Sequence, residues 1–498
     1  MKKTFFTLCM VVMAAMAIHA ETQSYNGTIY VTRNGSTSNE EITVTVTDKS
    51  NGLYDFVLKV PFMGMNLTLN MNDVPADTRD GITVYSAVRD VTTFLGYMRT
   101  TLFARTVDGM MAANVSIPSY NTTMWFNTVG DHFQLPNSNM EAWTNSNGEP
   151  DRWHGFKTAG GLFASTSANL VKLEQSDDVR SGATGHSAVM TANSAYGIVA
   201  NGTMTNGRLM AGSMFATDTK NHAEMDQANG TDDFYMPLYA KPDKFNVWLK
   251  YTQGTTNANN KANVSVKTFD GTYYQEPTDK TYTNLSGSIV GGQIPAGDWT
   301  QYSFPFDYDS YAANGAASNA IFVTFSTNGN PGEGSKDDAL YVDDMQLVYL
   351  AQMTDLRYKG NTIQGWNPAV TSYNMEVDAT PSLDDFTADV TGASAVVTKT
   401  MEQNQDGTYR IAISAIAGDL QQATCYVITV TVNQQQGLRG DVDDNGVVAI
   451  GDITLIIDHI LTGDTTGVNL VNADANLDGN ISIADVTAII DYILTGSF

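Results

Sequence analysis

The C-terminal end of the chain carries two acidic segments of twelve residues that share one spacing of oxygen-bearing side chains. DVDDNGVVAIGD spans 441–452, and DANLDGNISIAD spans 474–485. Position 6 is Gly446 in one and Gly479 in the other, and glycine adopts the positive φ of a sharp turn at little cost. Calcium takes six to eight oxygens, which such a loop supplies from positions 1, 3, 5, 7, 9 and 12. A single acidic turn is often only a solvated loop, but two with the same pattern predict calcium binding.

The candidate calcium ligands follow from those positions. The first loop offers Asp441, Asp443, Asn445, the carbonyl of Val447 and Asp452, and the second offers Asp474, Asn476, Asp478, the carbonyl of Asn480, Ser482 and Asp485. Position 9 of the first loop is Ala449, which has no side-chain oxygen, so we expect a water there. The spacing predicts two Ca²⁺ ions, one in each loop.

A segment with helical periodicity follows each loop. ITLIIDHILTG covers 453–463 and VTAIIDYILTG covers 486–496. Their apolar residues recur at i, i+3, i+4, i+7 and i+8, which predicts one apolar helix face in each; these are Ile453, Ile456, Ile457, Ile460 and Leu461, then Val486, Ile489, Ile490, Ile493 and Leu494. Aligning 441–463 with 474–496 gives 12 identities in 23 positions, which indicates an internal duplication.

This duplicated loop and helix resembles the type I dockerin domain over residues 437–498. The resemblance implies a secreted protein, usually a polysaccharide-degrading enzyme or its accessory, that attaches to a cohesin-bearing scaffold. Loop positions 10 and 11 largely set partner choice in that family. They are Ile450 and Gly451, then Ile483 and Ala484, where the best-known dockerins favour Ser and Thr. The expected partner is a cohesin-like or cell-surface anchoring protein, with a plain structural or tethering role as the alternative.

The N-terminal end predicts export. Residues 1–20, MKKTFFTLCMVVMAAMAIHA, have the basic, apolar and small-residue regions of a signal peptide. No later run predicts a transmembrane segment, so we expect a secreted, extracellular or cell-surface-associated protein. The net charge of −26 argues against nucleic acid and anionic membranes as partners. Cleavage leaves Cys425 as the one cysteine, within an alternating strand pattern that predicts a buried, inert thiol.

Residues 22–125 predict a small β-barrel. EITVTVTD alternates apolar and polar residues, and MGMNLTLNM places Met63, Met65, Leu67, Leu69 and Met71 in phase. The order of strands is similar to the calycin-like domains of secreted proteins from Gram-negative gut anaerobes. Such a barrel could hold an apolar ligand or be filled by its own side chains.

Residues 134–350 predict a jelly-roll β-sandwich of short strands separated by loops rich in Gly and Asn. The opening NSNMEAW, the strand KPDKFNVWLKYT and the pair Asp343-Asp344 resemble the putative carbohydrate metabolism domain and jelly-roll carbohydrate-binding modules. The latter resemblance implies a structural calcium held by Glu141 and Asp344. The alternative is two polar residues at strand ends.

Sugar recognition requires aromatic rings against the apolar face of a pyranose. Trp143, Trp153 and Trp299 are the candidate glycan-binding residues, with Tyr273 and Tyr274 beside them in loop-rich segments. Burial in the core is the alternative for each. Trp248 lies inside an alternating strand, which predicts a core position.

Residues 351–433 predict an immunoglobulin- or cadherin-like β-sandwich, and 433–437 a linker. The fold class is therefore mainly β and multidomain, with a calycin-like barrel, a jelly roll, an immunoglobulin-like sandwich and a small α dockerin.

No catalytic constellation emerges from the sequence. The acidic residues of the central domain lie in polar settings and show no pairing; they are Glu174, Asp177, Asp178, Glu224, Asp226, Asp232 and Asp233. The histidines show no metal-ligand spacing. The sequence favours a non-catalytic accessory of polysaccharide breakdown that binds glycan through its central domain. A glycoside hydrolase with its site in that domain, or a surface adhesion or structural protein, is the alternative.

Overall fold

A computed structural model describes residues 21–79, 82–107, 109–128, 133–195, 197–228, 233–433 and 438–498. The predicted signal peptide and residues 434–437 of the predicted linker lie outside the described residues. The chain divides into two compact units. One comprises residues up to 356 with 388–400 and 413–425, and the other comprises 357–387, 401–412 and 426–498.

Eight antiparallel strands close into a barrel in sequence order. They are β1 (Glu21–Arg33), β2 (Ser36–Asp48), β3 (Leu53–Phe62), β4 (Met65–Arg79), β5 (Ile82–Thr93), β6 (Gly96–Val107), β7 (Met110–Ile117) and β8 (Thr122–Asn127). β1 pairs with β8 from Thr28 opposite Asn127 to Arg33 opposite Thr122. The predicted small barrel is confirmed.

The barrel interior is lined by apolar side chains that alternate along each strand. Leu67, Leu69 and Met71 of β4 are at most 1 % exposed, as their phase predicts. Met63 and Met65 were expected to continue that face, but they are 53 % and 51 % exposed. The reason is the turn between β3 and β4, where Met63 has a φ of 53° and leaves the strand alternation.

A buried arginine fastens the barrel wall to the rest of the first unit. Arg105 of β6 is 6 % exposed and donates hydrogen bonds to the carbonyls of Tyr239 and Gly418, each at 2.5 Å. Burial lowers the pKa of its guanidinium to about 10. Asn114 of β7 donates to the carbonyl of Leu420 at 3.1 Å. These three bonds join strands β6 and β7 of the barrel to backbone carbonyls elsewhere in the first unit.

The central region is a sandwich. Its elements are α1 (Ala164–Leu170), β9 (Lys172–Ser176), β10 (Ser187–Thr191), β11 (Asn193–Ala195), β12 (Ile198–Ala200), β13 (Thr203–Thr205), β14 (Arg208–Ala211), β15 (Asn221–Met225), β16 (Lys244–Thr252), β17 (Ala262–Phe269), β18 (Tyr274–Glu276), β19 (Leu285–Ile289), β20 (Gln293–Ile294), β21 (Gly297–Asp307), β22 (Ala320–Ser326) and β23 (Ala339–Val348). The main sheet runs β13-β22-β17-β19-β21-β16-β23-β10-β9, with β20 paired to β17, beside a three-stranded sheet β14-β15-β18 and the pair β11-β12.

Alternation on β16 separates a core face from an outer face. Phe245, Val247 and Leu249 are at most 1 % exposed and share one core cluster with Val266 of β17 and Phe325 of β22. The residues between them on β16 therefore point to the opposite side of the sheet.

A third β region follows. Its strands are β24 (Gln352–Tyr358), β25 (Asn361–Thr362), β26 (Ser372–Val377), β27 (Phe386–Thr391), β28 (Val396–Gln403), β29 (Tyr409–Ile416) and β30 (Ala423–Val432), in sheets ordered β25-β24-β27 and β26-β30-β29-β28. The pairing of β26 with β30 is parallel.

Cys425 of β30 is half-buried, and burial raises the pKa of its thiol. Because the thiolate is the reactive form, we expect iodoacetamide at neutral pH to label the native chain from residue 21 at least several-fold more slowly than the urea-unfolded chain. Mass spectrometry of the alkylated peptide measures both rates. Equal rates would contradict the prediction of an inert thiol.

The C-terminal helices are α2 (Ile450–Thr462), α3 (Leu470–Ala473) and α4 (Ile483–Thr495). The predicted mainly β fold with a small helical C-terminal region is confirmed.

None of the helices in the described ranges combines the length and the apolar character needed to cross a bilayer.

Candidate functional site

The first acidic loop folds around two of its own carboxylates. Asp452, which is fully buried, accepts hydrogen bonds from the backbone N–H groups of Val442 at 2.6 Å and Asp443 at 3.1 Å through Oδ1, and from Ala449 at 2.8 Å through Oδ2. Asp441 accepts from the N–H of Gly446 at 2.7 Å. The last ligand position thereby joins the start of the loop to the start of α2.

The second loop repeats this pattern at the equivalent residues. Asp485, also fully buried, accepts from the N–H groups of Asn476 at 3.0 Å and Ser482 at 2.8 Å. Asp474 accepts from the N–H of Gly479 at 2.9 Å. The two glycines have φ values of 88° and 82°, the left-handed conformation that position 6 requires.

Carboxylate oxygens converge in the first loop. Asp441, Asp443 and Asp452 each place one within 4.8 Å of the other two. Three negative charges at this separation repel one another strongly unless a cation lies between them. An all-oxygen donor set of carboxylates and carbonyls suits a hard cation such as calcium. The residues present therefore fit the predicted ion. The second loop also offers three ligand carboxylates, because Asn476 at position 3 is offset by Asp478 at position 5.

The helices bury less of their apolar stripes than the periodicity predicts. Ile456 and Ile489 are fully buried at equivalent positions in the small core. Leu461 and Leu494, the last members of each stripe, are instead 76 % and 77 % exposed. Each is followed within two residues by a glycine that ends the helix, so each lies on the final helical turn.

Asn472 of α3 is a link between the two loops that the sequence analysis missed. Its side-chain amide donates to the carbonyl of Asp441 at 2.7 Å, and the residue is 2 % exposed. Little in the sequence pointed to this role, since a single Asn between two motifs belongs to no periodic pattern. Arg439, just before the first loop, also donates to the carbonyl of Ala475 in the second, so side chains from both sides couple the two loops.

The central domain brings together a set of aromatic and charged side chains on the outer face of β16, β21 and β23. Trp299 donates its indole N–H to Asp178 Oδ1 at 2.9 Å, and Lys250 Nζ donates to Asp178 Oδ2 at 2.8 Å. The Lys250 ammonium, with the Trp299 indole as a smaller contributor, lowers the pKa of Asp178. Tyr341 packs edge-on against Trp299, with ring centroids 6.2 Å apart.

Trp248 belongs to the same face, which corrects the prediction that it lies in the core. It pairs directly with Asp343 of β23 and is half-buried, one position out of phase with the core residues of β16. The Arg180 guanidinium lies 5.1 Å from its ring centroid and contacts Asp344 Oδ2 at 2.6 Å. We call Trp248, Lys250, Trp299 and Tyr341, with Asp178 and Arg180, the aromatic face.

The three tryptophans predicted to bind glycan have different environments. Trp153 is fully buried, donates its indole N–H to the carbonyl of Pro136 at 3.1 Å, and therefore cannot stack on a sugar. Trp143 is half-buried and donates to the carbonyl of Met140. Trp299 lies on the aromatic face. Tyr274 is 1 % exposed and is also a core residue.

Glu141 and Asp344, the pair predicted to hold a structural calcium, both lie near Asp343. Burial, and then the charge of Asp344, raises the pKa of Asp343 to about 7, with Glu141 as a smaller contributor. Asp344 contacts the Arg180 guanidinium, and Glu141 accepts from the N–H of His186 at 2.9 Å. Their calcium role stays a prediction.

Several of the acidic residues considered for catalysis contact a lysine, arginine or histidine side chain. These contacts are Glu174 with Lys172 at 3.7 Å, Asp177 with His186 at 3.0 Å, Glu224 with His222 at 3.0 Å and Asp233 with Arg152 at 3.8 Å, while Asp178 contacts Lys250 as above. Asp232 lies outside the described residues. Such contacts are typical of structural ion pairs.

Residues 439–494 match the type I dockerin domain. The predicted dockerin is thus confirmed over nearly the whole of 437–498, and type I dockerin domains bind calcium. Residues 119–348 match the family described as the putative carbohydrate metabolism domain, as the opening and closing motifs of the central region predicted.

Comparison with solved structures gives distant matches. One is a putative glycoside hydrolase from Bacteroides thetaiotaomicron, at 14 % identity and a TM-score of 0.33, covering 51 % of this chain and 86 % of that one. Another is the N-terminal CBM22-1–CBM22-2 tandem of Paenibacillus barcinonensis Xyn10C, at 9 % identity and a TM-score of 0.21, covering 66 % and 74 %. These scores are too low to carry an argument. No curated protein matches the chain.

Proposed function

We propose that this protein is a secreted, calcium-binding accessory of polysaccharide breakdown, which binds glycan through its central domain and attaches to a partner through its dockerin domain. The observation that carries the dockerin part is the convergence of Asp441, Asp443 and Asp452 within 4.8 Å. The aromatic face is the observation that supports glycan binding by the central domain.

In the dockerin domain, calcium would be held by the ligand positions of each loop. These are Asp441, Asp443, Asn445, Val447 and Asp452 in the first, and Asp474, Asn476, Asp478, Asn480, Ser482 and Asp485 in the second. When bound, the ion neutralises the converging carboxylates. The chain itself orients them, since backbone N–H groups of each loop donate to Asp452 and Asp485.

The surface that attaches to the partner would include position 10 of each calcium loop. Ile450 and Ile483 are 73 % and 68 % exposed, so both are accessible to a cohesin-like or cell-surface anchoring protein. Their apolar character, where Ser or Thr is usual, suits a partner that offers an apolar contact there.

In the central domain, Trp299, Trp248 and Tyr341 present aromatic groups beside hydrogen-bonding side chains, the combination that sugar recognition requires. The charged members Lys250 and Asp178 are already paired with each other and can bond hydroxyl groups as a fixed unit. This arrangement favours binding over hydrolysis. Asp178 is held as a carboxylate by its ion pair with Lys250, so it has no proton to donate to a glycosidic oxygen.

A glycan array probed with the full chain tests this function, alongside an assay for released reducing sugar. We expect Trp299→Ala to weaken binding to the best array ligand by about tenfold or more, since stacking and one hydrogen bond are lost. Trp299→Phe should retain part of the affinity, and Trp143→Ala should cost less than Trp299→Ala.

If the full chain bound none of the plant, host and microbial glycans on the array, the adhesion or structural role would be favoured instead. Release of reducing sugar that Trp299→Ala abolishes would favour a hydrolase instead.

A further inference from the structure

The loop that joins β9 to β10, residues 177–186, lies against the aromatic face of the central domain. Its first part is fixed by Asp178, whose carboxylate accepts the two hydrogen bonds from the face described above. Its last part is fixed by the backbone N–H of His186, which donates to Glu141 at 2.9 Å. Both ends of the loop are therefore held by bonds that do not involve its middle.

The middle of the loop depends on one side chain. Among the hydrogen bonds and ion pairs of the described residues, Arg180 makes the one link from residues 179–184 to the rest of the domain. Its guanidinium donates from Nε to Asp344 Oδ2 at 2.7 Å, and a second nitrogen lies 2.6 Å from the same oxygen. The same group lies 5.1 Å from the ring centroid of Trp248. Arg180 therefore binds a ring of the aromatic face and a carboxylate at its edge.

The guanidinium occupies the surface that a sugar would use. Cation–π contact and the stacking of a pyranose both use the face of an aromatic ring. Since the loop contacts side chains on the outer face of the sheet, Arg180 covers Trp248 from the side that a ligand would approach. Trp299 differs, because no cation of the described residues lies over its ring. In this structure a sugar can stack on Trp299, whereas the ring of Trp248 is already taken.

We propose that Arg180 is an autoinhibitory gate of the aromatic face, so that a glycan must displace its guanidinium from Trp248 to contact both tryptophans. This inference rests on the proposed glycan binding and adds the group that opposes it. The displacement breaks one cation–π contact and one ion pair whose side chains are 30 % and 34 % exposed, contacts that are individually weak at such exposure. The bonds of Asp178 and His186 can stay in place while Arg180 moves.

Affinity of the full chain for the best array ligand tests the gate, measured in calcium-containing buffer. Arg180→Ala should bind about tenfold more tightly than the parent, because no guanidinium has to be displaced. Arg180→Lys keeps a cation at this position and should bind like the parent. The matched control is Arg208→Ala, which removes a cation 5.7 Å from the ring centroid of Phe234 and should leave the affinity unchanged.

Acrylamide quenching of tryptophan fluorescence tests the same contact without a glycan. Arg180→Ala should increase the quenching, because the ring of Trp248 is uncovered. That increase should disappear in a chain that also carries Trp248→Phe, since a double-mutant cycle isolates the pair. A chain that carries Trp366→Phe instead, in the third β region, should keep the increase.

Tighter glycan binding by Arg180→Ala, with a quenching increase that requires Trp248, would support the gate. Weaker binding by Arg180→Ala would make Arg180 a direct glycan contact and overturn the gate. Glycan binding with unchanged affinity or unchanged quenching would overturn the gate alone and leave the proposed function standing. If neither the parent nor Arg180→Ala bound any glycan on the array, the proposed function and the gate would both be wrong.

Discussion

In calorimetric titrations, the full chain carrying Asp452→Ala should bind one calcium ion where the parent binds two, and Asp485→Ala should do the same. Both carboxylates are fully buried and hold the loop's own N–H groups, so each substitution removes a ligand and the bonds that shape the loop. Asp458→Asn, at an exposed helix position outside the ligand set, is the matched control and should leave the stoichiometry at two.

Calcium should also determine whether the dockerin domain is folded. Within residues 438–498, its core cluster has six buried apolar residues, among them Val442, Ile456 and Ile489, too few to offset the repulsion among the loop carboxylates. At 100 times its Kd, one ion stabilises the fold by about 2.7 kcal/mol. A chelator should therefore remove the helical circular dichroism of this domain while the β signal persists. Two ions bound by Asp452→Ala, or helices that a chelator does not affect, would show that the loops do not bind calcium as proposed.

The variant Trp153→Ala should destabilise the central domain by about 3–5 kcal/mol, the cost of emptying a large buried aromatic site. The Trp153 ring lies 6.1 Å from that of Phe325, centroid to centroid, and its indole N–H is bonded to the carbonyl of Pro136. Differential scanning calorimetry of the full chain should show one transition move to lower temperature.

Trp299→Ala should give the opposite result, with little change in that transition and a loss of glycan affinity. A Trp153→Ala protein with the parent's stability but no glycan binding would restore the sequence expectation that Trp153 is a ligand residue.

The calcium loops could be predicted from the sequence because their chemistry is local. Twelve consecutive residues supply the ligands and the glycine of each turn, and the duplication repeats the pattern. The barrel could also be anticipated, since alternation such as that of Leu67, Leu69 and Met71 reports which side of a strand is buried.

The environments of the tryptophans could not be predicted in the same way. The environment of Trp153 depends on Phe325, which is 172 positions away in the sequence, and that of Trp248 depends on Arg180 in a distant loop. For Trp248, the alternation of β16 did carry the answer, since it places Trp248 on the same side as Asn246 and Lys250 and away from Leu249. For Met63, one residue of turn with positive φ was enough to end the pattern.

Closure of the barrel has a consequence for how the chain folds. Its final ladder joins Thr28 to Asn127, and a Cβ on Gly27 would lie 2.1 Å from the carbonyl oxygen of Asn127, so the seam depends on that glycine. Until β8 pairs with β1, both strands are open edges that can pair with other chains. The seam joins residues about a hundred positions apart, and contacts of such long range form slowly. Gly27→Val should therefore prolong the time in which the refolding protein aggregates, more than it changes any property of the dockerin domain.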